Sequence, residues 1–408
     1  MFKLNLKMAW LNIWRRKVRS TLVILMIGVS MSVMLSIQGL YDGMTKHLIE
    51  STIRSESGEI TLYAPAYRLQ QKLKFHISNT KEILDSLEKM PEVKAISERI
   101  RVMGLVSTAH KSTMAKLIGV DTSQENTFGN FQDFILEGKF VFGEEKSGAV
   151  IGKKLAKTLG VSIGSRVIFS AQDIHGELSS VSLRIRGIVQ TTNQAIDDMA
   201  LFVDLKKSEL LTGLTDGERT EISLRVDDGV NLKDFKSKLK AQWPGLEIYT
   251  WKELYPALVQ MQQMMMIFNG ITFGIVMVMV FIGILGVMFV SILERIREFG
   301  ILLAIGEPYR YLRTQVIFEA LLLGSGGYII GSIAGAIALH YLQLYGLDLS
   351  AFSAGLEEFG MNSILYATME FYYFTFTLAA IILAALLSVI LPLRKIKRLH
   401  PIDVIQGD

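Results

Sequence analysis

Cysteine is absent from the 408 residues, which excludes a disulfide framework and any thiolate metal site and leaves the redox compartment open. The six histidines show no HxxxH or carboxylate-paired spacing, so no metal site is assigned. There is no GxxxxGK[ST]. The nearest Gly-Lys, Gly152-Lys153, is followed by Lys154 and lacks the upstream glycine, which excludes a nucleotide-binding P-loop. No GxSxG elbow occurs, no catalytic constellation stands out, and no catalytic residue is assigned. Charge is missing over two long runs: Leu254 to Leu293 has no Asp, Glu, Lys or Arg, and Thr314 to Leu347 carries only Glu319. Each run exceeds the roughly 20 apolar residues that a helix needs to cross a bilayer.

Half of the residues are hydrophobic and a fifth are charged, so a membrane protein with a substantial water-exposed part is expected. Candidate spans fall at about 20–40, 266–293, 314–344 and 371–391. The segment before the first span holds Lys3, Lys7, Arg15, Arg16, Lys17 and Arg19 without an acid, and the tail from 392 to 408 holds Arg394, Lys395, Lys397 and Arg398. Basic flanks mark the cytoplasmic side. The loop 345–370 has Asp348, Glu357, Glu358 and Glu370 and no Lys or Arg, as an outer loop can. Both termini and the segment 294–313 are therefore expected inside, with 41–262 outside. The basic start followed by an apolar run could pass for a signal peptide, but the run is over 20 residues long and lacks an A-x-A-like site, so it is read as a span. Trp10 and Trp14, one turn apart before Arg15 and Arg16, suit an interfacial helix over 1–19.

The segment ERIREFGILLAIGEPYRYLR, Glu294 to Arg313, separates two spans, and its charges alternate with Ile296, Phe299, Ile301, Leu302, Leu303 and Ile305. Such an amphipathic segment lies along a membrane or docks in a groove of another protein, and we read it as a cytoplasmic lever.

The outward residues read as mixed α/β. Ser57 to Tyr63 alternates like a strand, Thr80 to Met90 is helix-like, and Val93 to Ser107 returns as strands. Strand, helix and strand recur at Thr220 to Val226, Asn231 to Trp243 and Leu246 to Tyr249. Two similar halves, about 57–112 and 214–250, flank a β-rich insertion at about 113–213 with glycine turns at Gly152, Gly160, Gly164, Gly176 and Gly187. Thr250 and Glu253 have capping-box spacing ahead of a helical run that could continue through Leu293, with Pro256 either kinking it or opening it. A helical stripe through Tyr41, Met44, Leu48 and Ile49 extends the first span outward.

In the second span Gly270 and Gly274 form GxxxG, and in the third Gly327, Gly331 and Gly335 form GxxxGxxxG. Either row can serve packing inside one chain or a seam between two. Glu319 is expected to pair with a basic residue near the inner face or to snorkel.

One span, a large outward domain and three further spans resemble the permeases of the MacB and lipoprotein-releasing LolC/LolE class of ABC transporters, which includes the cell-division permease FtsX. ERIREFGILLAIG resembles that superfamily's segment after its second span. Phe318-Glu319 with the Gly-rich third span continues the likeness, and PLRKIKRLHPIDVI, Pro392 to Ile405, resembles its tail. Val150 to Ala156, Leu159-Gly160-Val161, Gly164 and Ile188 to Asp198 ahead of Met199 to Val203 resemble the LolC/LolE branch.

The resemblance implies four transmembrane helices with a MacB-like α/β extracytoplasmic domain between spans 1 and 2, in a bacterial inner membrane. It implies a permease that binds no cofactor and moves with ATP and Mg held by a separate cytoplasmic ATPase dimer. A second permease chain, identical or different, and membrane lipid complete the expected partners, with a periplasmic carrier or effector protein possible and no nucleic acid. Glu294, Arg295, Arg297, Glu298, Gly300, Gly306 and Tyr309 would couple to the ATPase. Acyl chains of a lipoprotein would enter at Met34, Leu40, Met261, Met265 and Phe268, where flexible thioethers suit variable shapes. The branch's carrier-recruiting hook falls at Ser170 to Ser179, here short and without Pro or Met. An FtsX-like regulator of a cell-wall enzyme, a MacB-like exporter of other cargo and a membrane-anchored sensor without an ATPase remain as alternatives.

Overall fold

The computed structural model describes residues 2–15, 17–142, 147–191, 193–352 and 364–397. The tail beyond 397, with Arg398, and the loop acids Glu357 and Glu358 lie outside the described residues. The chain divides into two compact units. One comprises Met1–Thr45, Gln262–Ser350 and Ile364–Asp408, the other Lys46–Met261 and Ala351–Ser363.

Among the described residues four helices are long and apolar enough to cross a membrane, and most of their length lies in the first unit. They are Lys17–Thr52, Pro256–Glu294, Tyr309–Tyr345 and Phe371–Ser388, and Phe2–Arg15 precedes them. Glycine explains how the first and third pack. A Cβ on Gly327 would lie 2.5 Å from the Ile27 Cβ, one on Gly331 2.6 Å from the Met31 Cβ, and one on Gly335 2.7 Å from Leu35 Cδ1. The row thus seats span 1 within the same chain, and Gly39 continues the seam against Leu339. Span 4 joins through Gly324, which faces Ile381 and Ala385, while Phe273 of span 2 meets Phe376 of span 4 at 4.9 Å between ring centres. Gly270 and Gly274 have nothing within 4 Å of a built Cβ. That outer half of span 2 exposes Ile267, Phe268, Ile271 and Ile275.

The capping box forms but opens a different helix from the one expected. The Glu253 carboxylate accepts from the Thr250 N–H at 2.8 Å and from its hydroxyl at 3.1 Å, yet this helix is only Trp251–Leu254. Tyr255, at φ −121° and ψ 67°, leaves helical geometry, because a residue before proline is pushed out of the α region. Pro256 then starts the long helix, where its missing N–H carries no penalty.

The second unit is built on strands β1 (Ile60–Tyr63), β2 (Val93–Ser107), β3 (Ser112–Val120), β4 (Ile135–Gly138), β5 (Gly148–Gly152), β6 (Arg166–Gln172), β7 (Leu178–Val189), β8 (Ala200–Asp204), β9 (Glu221–Val226) and β10 (Glu247–Thr250). The order β10-β1-β9-β2, antiparallel throughout, with helices Thr80–Leu87 and Leu232–Gln242 as crossovers, is a ferredoxin-like split βαβ arrangement. The two sequence halves supply its two βα hairpins. Ile60, Leu62, Ile222 and Leu224 meet Ile83, Leu87, Phe235 and Leu239 in its core.

The expected insertion begins earlier than residue 113. Residues 93–99 of β2 pair with β9, whereas 100–107 pair with β3 and 105–107 also with β6. From there β3, β8, β5, β7 and β6 pair in turn and return to β2. That closes a six-stranded barrel filled by Val106, Leu117, Ile151, Phe169, Leu183 and Leu201. Closure removes exposed edges from a strand-rich subdomain. One strand, β2, therefore belongs to both lobes.

Candidate coupling and cargo surfaces

The segment after span 2 breaks at Arg295, whose φ of −114° and ψ of 14° depart from the helix, and resumes as Ile296–Ala304. Phe299 explains why this short helix stays put, being 1% exposed in the core of the span bundle. Ionic contacts hold the rest. Arg19 grips the Glu294 carboxylate through two bonds of 3.1 Å, Arg295 meets Glu298 at 3.0 Å and Glu319 at 3.6 Å, and Arg15 reaches Glu298 at 3.5 Å. The arginine at hydrogen-bond distance, followed by its Coulomb field, holds the Glu298 carboxyl below its usual range despite some burial. The basic partner of Glu319 is Arg295. Tyr309 donates to the Leu393 carbonyl at 3.0 Å, and Gly300 is buried.

Of the seven expected coupling residues, five are thus engaged inside the chain, and Arg297 and Gly306 are exposed. Gly306 ends the helix at φ +92°, its N–H donating to the Leu303 carbonyl and the next N–H to Leu302, a turn that glycine alone makes without strain. Ile301 and Ile305, 47% and 73% exposed, complete an apolar outer face and were missing from the sequence-derived set. Their spacing of four within an amphipathic run was the available signal.

Met34 is 2% exposed, so it is closed to cargo in this chain, and Leu40 is half-buried against the bundle core. The helix face that lays Ile27 and Met31 against the glycine row turns these residues inward too. Met261 and Met265 are half-buried and Phe268 is 55% exposed. Separately, an open groove of about 570 Å³ is lined by Tyr328, Ile333 and Ala336 of span 3, Phe371 and Phe374 of span 4, and Met369 just before it.

The hook position is a plain hairpin. β6 and β7 pair as far as Gln172 and Leu178, the Asp173 carboxylate accepts from the N–H groups of His175 and Glu177 at 2.9 Å each, and the Ile174 N–H donates to the Thr212 carbonyl at 2.9 Å.

Sequence reading missed a buried ionic cluster in the second unit. Arg99 and Glu125, both 0% exposed in their side chains, pair at 2.6 Å, and Arg101 pairs with Glu221 at 2.7 Å and with Glu56 at 2.8 Å. Burial opposes ionisation of Glu56, but Arg101 and then Lys116 outweigh it and hold the carboxyl at about 2. Burial and the neighbouring Arg101 in turn lower the Lys116 ammonium.

Four long apolar helices, an ion-paired amphipathic helix between the second and third, and a two-lobed α/β body after the first define a multi-pass permease subunit. The MacB-like periplasmic core domain matches residues 20–242 and the FtsX-like permease C-terminal domain residues 270–401, and the chain belongs to this MacB/FtsX-like family of ABC transporter permeases. It is similar to the lipoprotein-releasing system transmembrane protein LolE of Haemophilus influenzae, 20% identical over 337 residues that cover 79% of each chain. It is also similar to the macrolide export ATP-binding/permease protein MacB of Wolinella succinogenes, 27% identical over 194 residues, 46% of this chain and 27% of that one. The crystallised periplasmic region of MacB from Actinobacillus actinomycetemcomitans aligns with 50% of this chain and 95% of its own at 16% identity, with a TM-score of 0.35.

Proposed function

We propose that the chain is the permease subunit of a lipoprotein-releasing transporter. It would pair with a second permease chain, bind a separate cytoplasmic ATPase dimer that holds ATP and Mg, and bind no cofactor and carry no ATPase site itself. Its termini would face the cytoplasm of a bacterial inner membrane. The observation that carries the cargo assignment is the similarity to LolE over 79% of each chain. Mechanotransmission fits the architecture. ATPase closure would press on the free face of Arg297, Ile301, Ile305 and Gly306, and the ion pairs from Arg19 to Glu294 and from Arg295 to Glu319 would pass the movement to the spans.

Cargo would enter from the outer leaflet along the exposed outer half of span 2. A photo-crosslinking residue at Phe268 should capture a lipoprotein in cells, with capture falling as ATP is hydrolysed. Capture of phospholipid alone, unchanged by nucleotide, would overturn the lipoprotein reading and favour an FtsX-like regulator. In parallel, Ile305→Lys should reduce co-purification of the ATPase, and undiminished co-purification and ATP turnover would remove the lever from the coupling path.

A further inference from the structure

Helix Lys17–Thr52 passes into a π-turn, Ile53–Ser57. Such widened turns are rare and concentrate at functional positions. Here the turn presents Glu56 to groups from both lobes of the body. Its carboxylate accepts from Arg101 Nη1 at 2.8 Å and from the Asn193 amide. Its main-chain carbonyl accepts from Arg99 and, at 3.3 Å, from Arg101. Arg99 and Arg101 bracket the point on β2 where pairing changes from β9 of the split βαβ lobe to β3 of the barrel. Asn193 caps the barrel-side helix Gln194–Met199, its side-chain oxygen accepting from the Ala195 N–H at 3.0 Å.

We propose that Glu56 is a positioning residue through which the first long helix sets the angle between the two lobes, gripping β2 at its crossover and the barrel through Asn193. The proposal rests on the permease reading. The grip is stiff because its charges are buried: separating Glu56 from Arg101 takes from the Glu56 carboxylate its nearest counter-charge away from water, so displacement of the turn drags its partner. Glu56 remains ionised far below neutral pH, being held at about 2 by the arginine and lysine against burial, so the grip does not release under ordinary acidity. Around the junction, β1 follows Glu59, whose main-chain carbonyl accepts from the Trp251 N–H at 3.0 Å, and β1 pairs with β10. The chain leaving the first helix and the chain entering the second therefore meet beside Glu56.

The test uses the full chain in complex with its ATPase. Asn193→Asp keeps the helix cap, since a carboxylate also accepts the Ala195 N–H, but it removes the amide donor and places a second negative charge against Glu56. The absence of cysteine allows spin labels at Lys89→Cys in one lobe and Lys157→Cys in the other. In the unsubstituted background their distance distribution should differ between nucleotide-free and ATP-bound states. In Asn193→Asp the difference should vanish and transport should fall about tenfold, the scale of a typical coupling energy. Glu56→Gln, which keeps the shape and removes the charge, should do the same and serves if the first variant fails to fold. A folded variant with a normal nucleotide-dependent shift and normal transport overturns the role of Glu56. A body whose unsubstituted lobes ignore nucleotide while the complex hydrolyses ATP overturns the mechanotransmission part of the permease reading instead.

Discussion

Asp197 is a carboxylate held where ionisation is unfavourable. It is buried and accepts from the Thr191 N–H at 2.8 Å and the Thr191 hydroxyl at 3.1 Å. Burial nevertheless outweighs those bonds and pushes it up to about 6 from 3.8. With the folded value above the unfolded one, the folded state holds the proton more tightly. The stability this group contributes is full below 3.8 and is lost as pH rises through about 6. Asp197→Asn keeps an acceptor for Thr191 and removes the charge. It should stabilise the fold at pH 7.5 by on the order of 3 kcal/mol, about two pKa units, seen as a raised melting midpoint, and leave the midpoint unchanged near pH 4. An equal effect at both values would show that the carboxylate is not under this strain.

Among the elements, the two glycine rows look alike in sequence and differ in use. Gly331→Leu drives side-chain atoms into Met31 and the Gly28 carbonyl, which a Cβ alone would approach to 2.6 and 2.7 Å, and the backbones of spans 1 and 3 must separate. The full-length protein should lose most of its detergent-stable yield. A Cβ at Gly274 meets nothing within 4 Å in this chain, so Gly274→Leu should leave yield intact; if it abolishes pairing of two permease chains on a sizing column, the row is their seam. The spans themselves were legible because a hydrocarbon slab about 30 Å thick demands long apolar runs. The strand and helix alternation of the body was legible because each has its own period. Which face of span 1 turns inward was not, since Met34 was placed by depth and depth carries no information about rotation. The break at Tyr255 was legible from the proline that follows it, and the capping box distracted from it. Glu56, Arg99, Arg101 and Glu221 could not be found from pattern, because arginines alternating with apolar residues on a strand read as a solvent face. The pairing of β2 with β9 brings Glu221 to them, the π-turn Ile53–Ser57 brings Glu56 and the helix Thr122–Gly129 brings Glu125.

At the scale of the whole molecule, orientation follows from charge. Lys and Arg cluster before the first long helix, around the segment after the second and beyond the fourth, and translocating them across the membrane is disfavoured. Four candidate spans among the described residues would then put the segments before the first and after the fourth on one side. The cysteine-free chain makes this testable with single substitutions at exposed positions. Glu177→Cys, in the β6–β7 turn, should react with an impermeant maleimide in intact cells, whereas Arg310→Cys, at the start of span 3, should react only after permeabilisation. Ser20 is unsuitable as the inner probe, being 6% exposed, because a buried thiol stays silent on either side. If Arg310→Cys labels from outside, the segment 294–313 faces away from any cytoplasmic ATPase, and the coupling role of Arg297, Ile301 and Ile305 falls with the topology. If both positions label only after permeabilisation, the body is inside, and release of an outer-leaflet cargo by this chain is excluded. Labelling of Glu177→Cys alone in intact cells puts ATP-driven movement and cargo on opposite faces, and the long helices then carry force across the membrane.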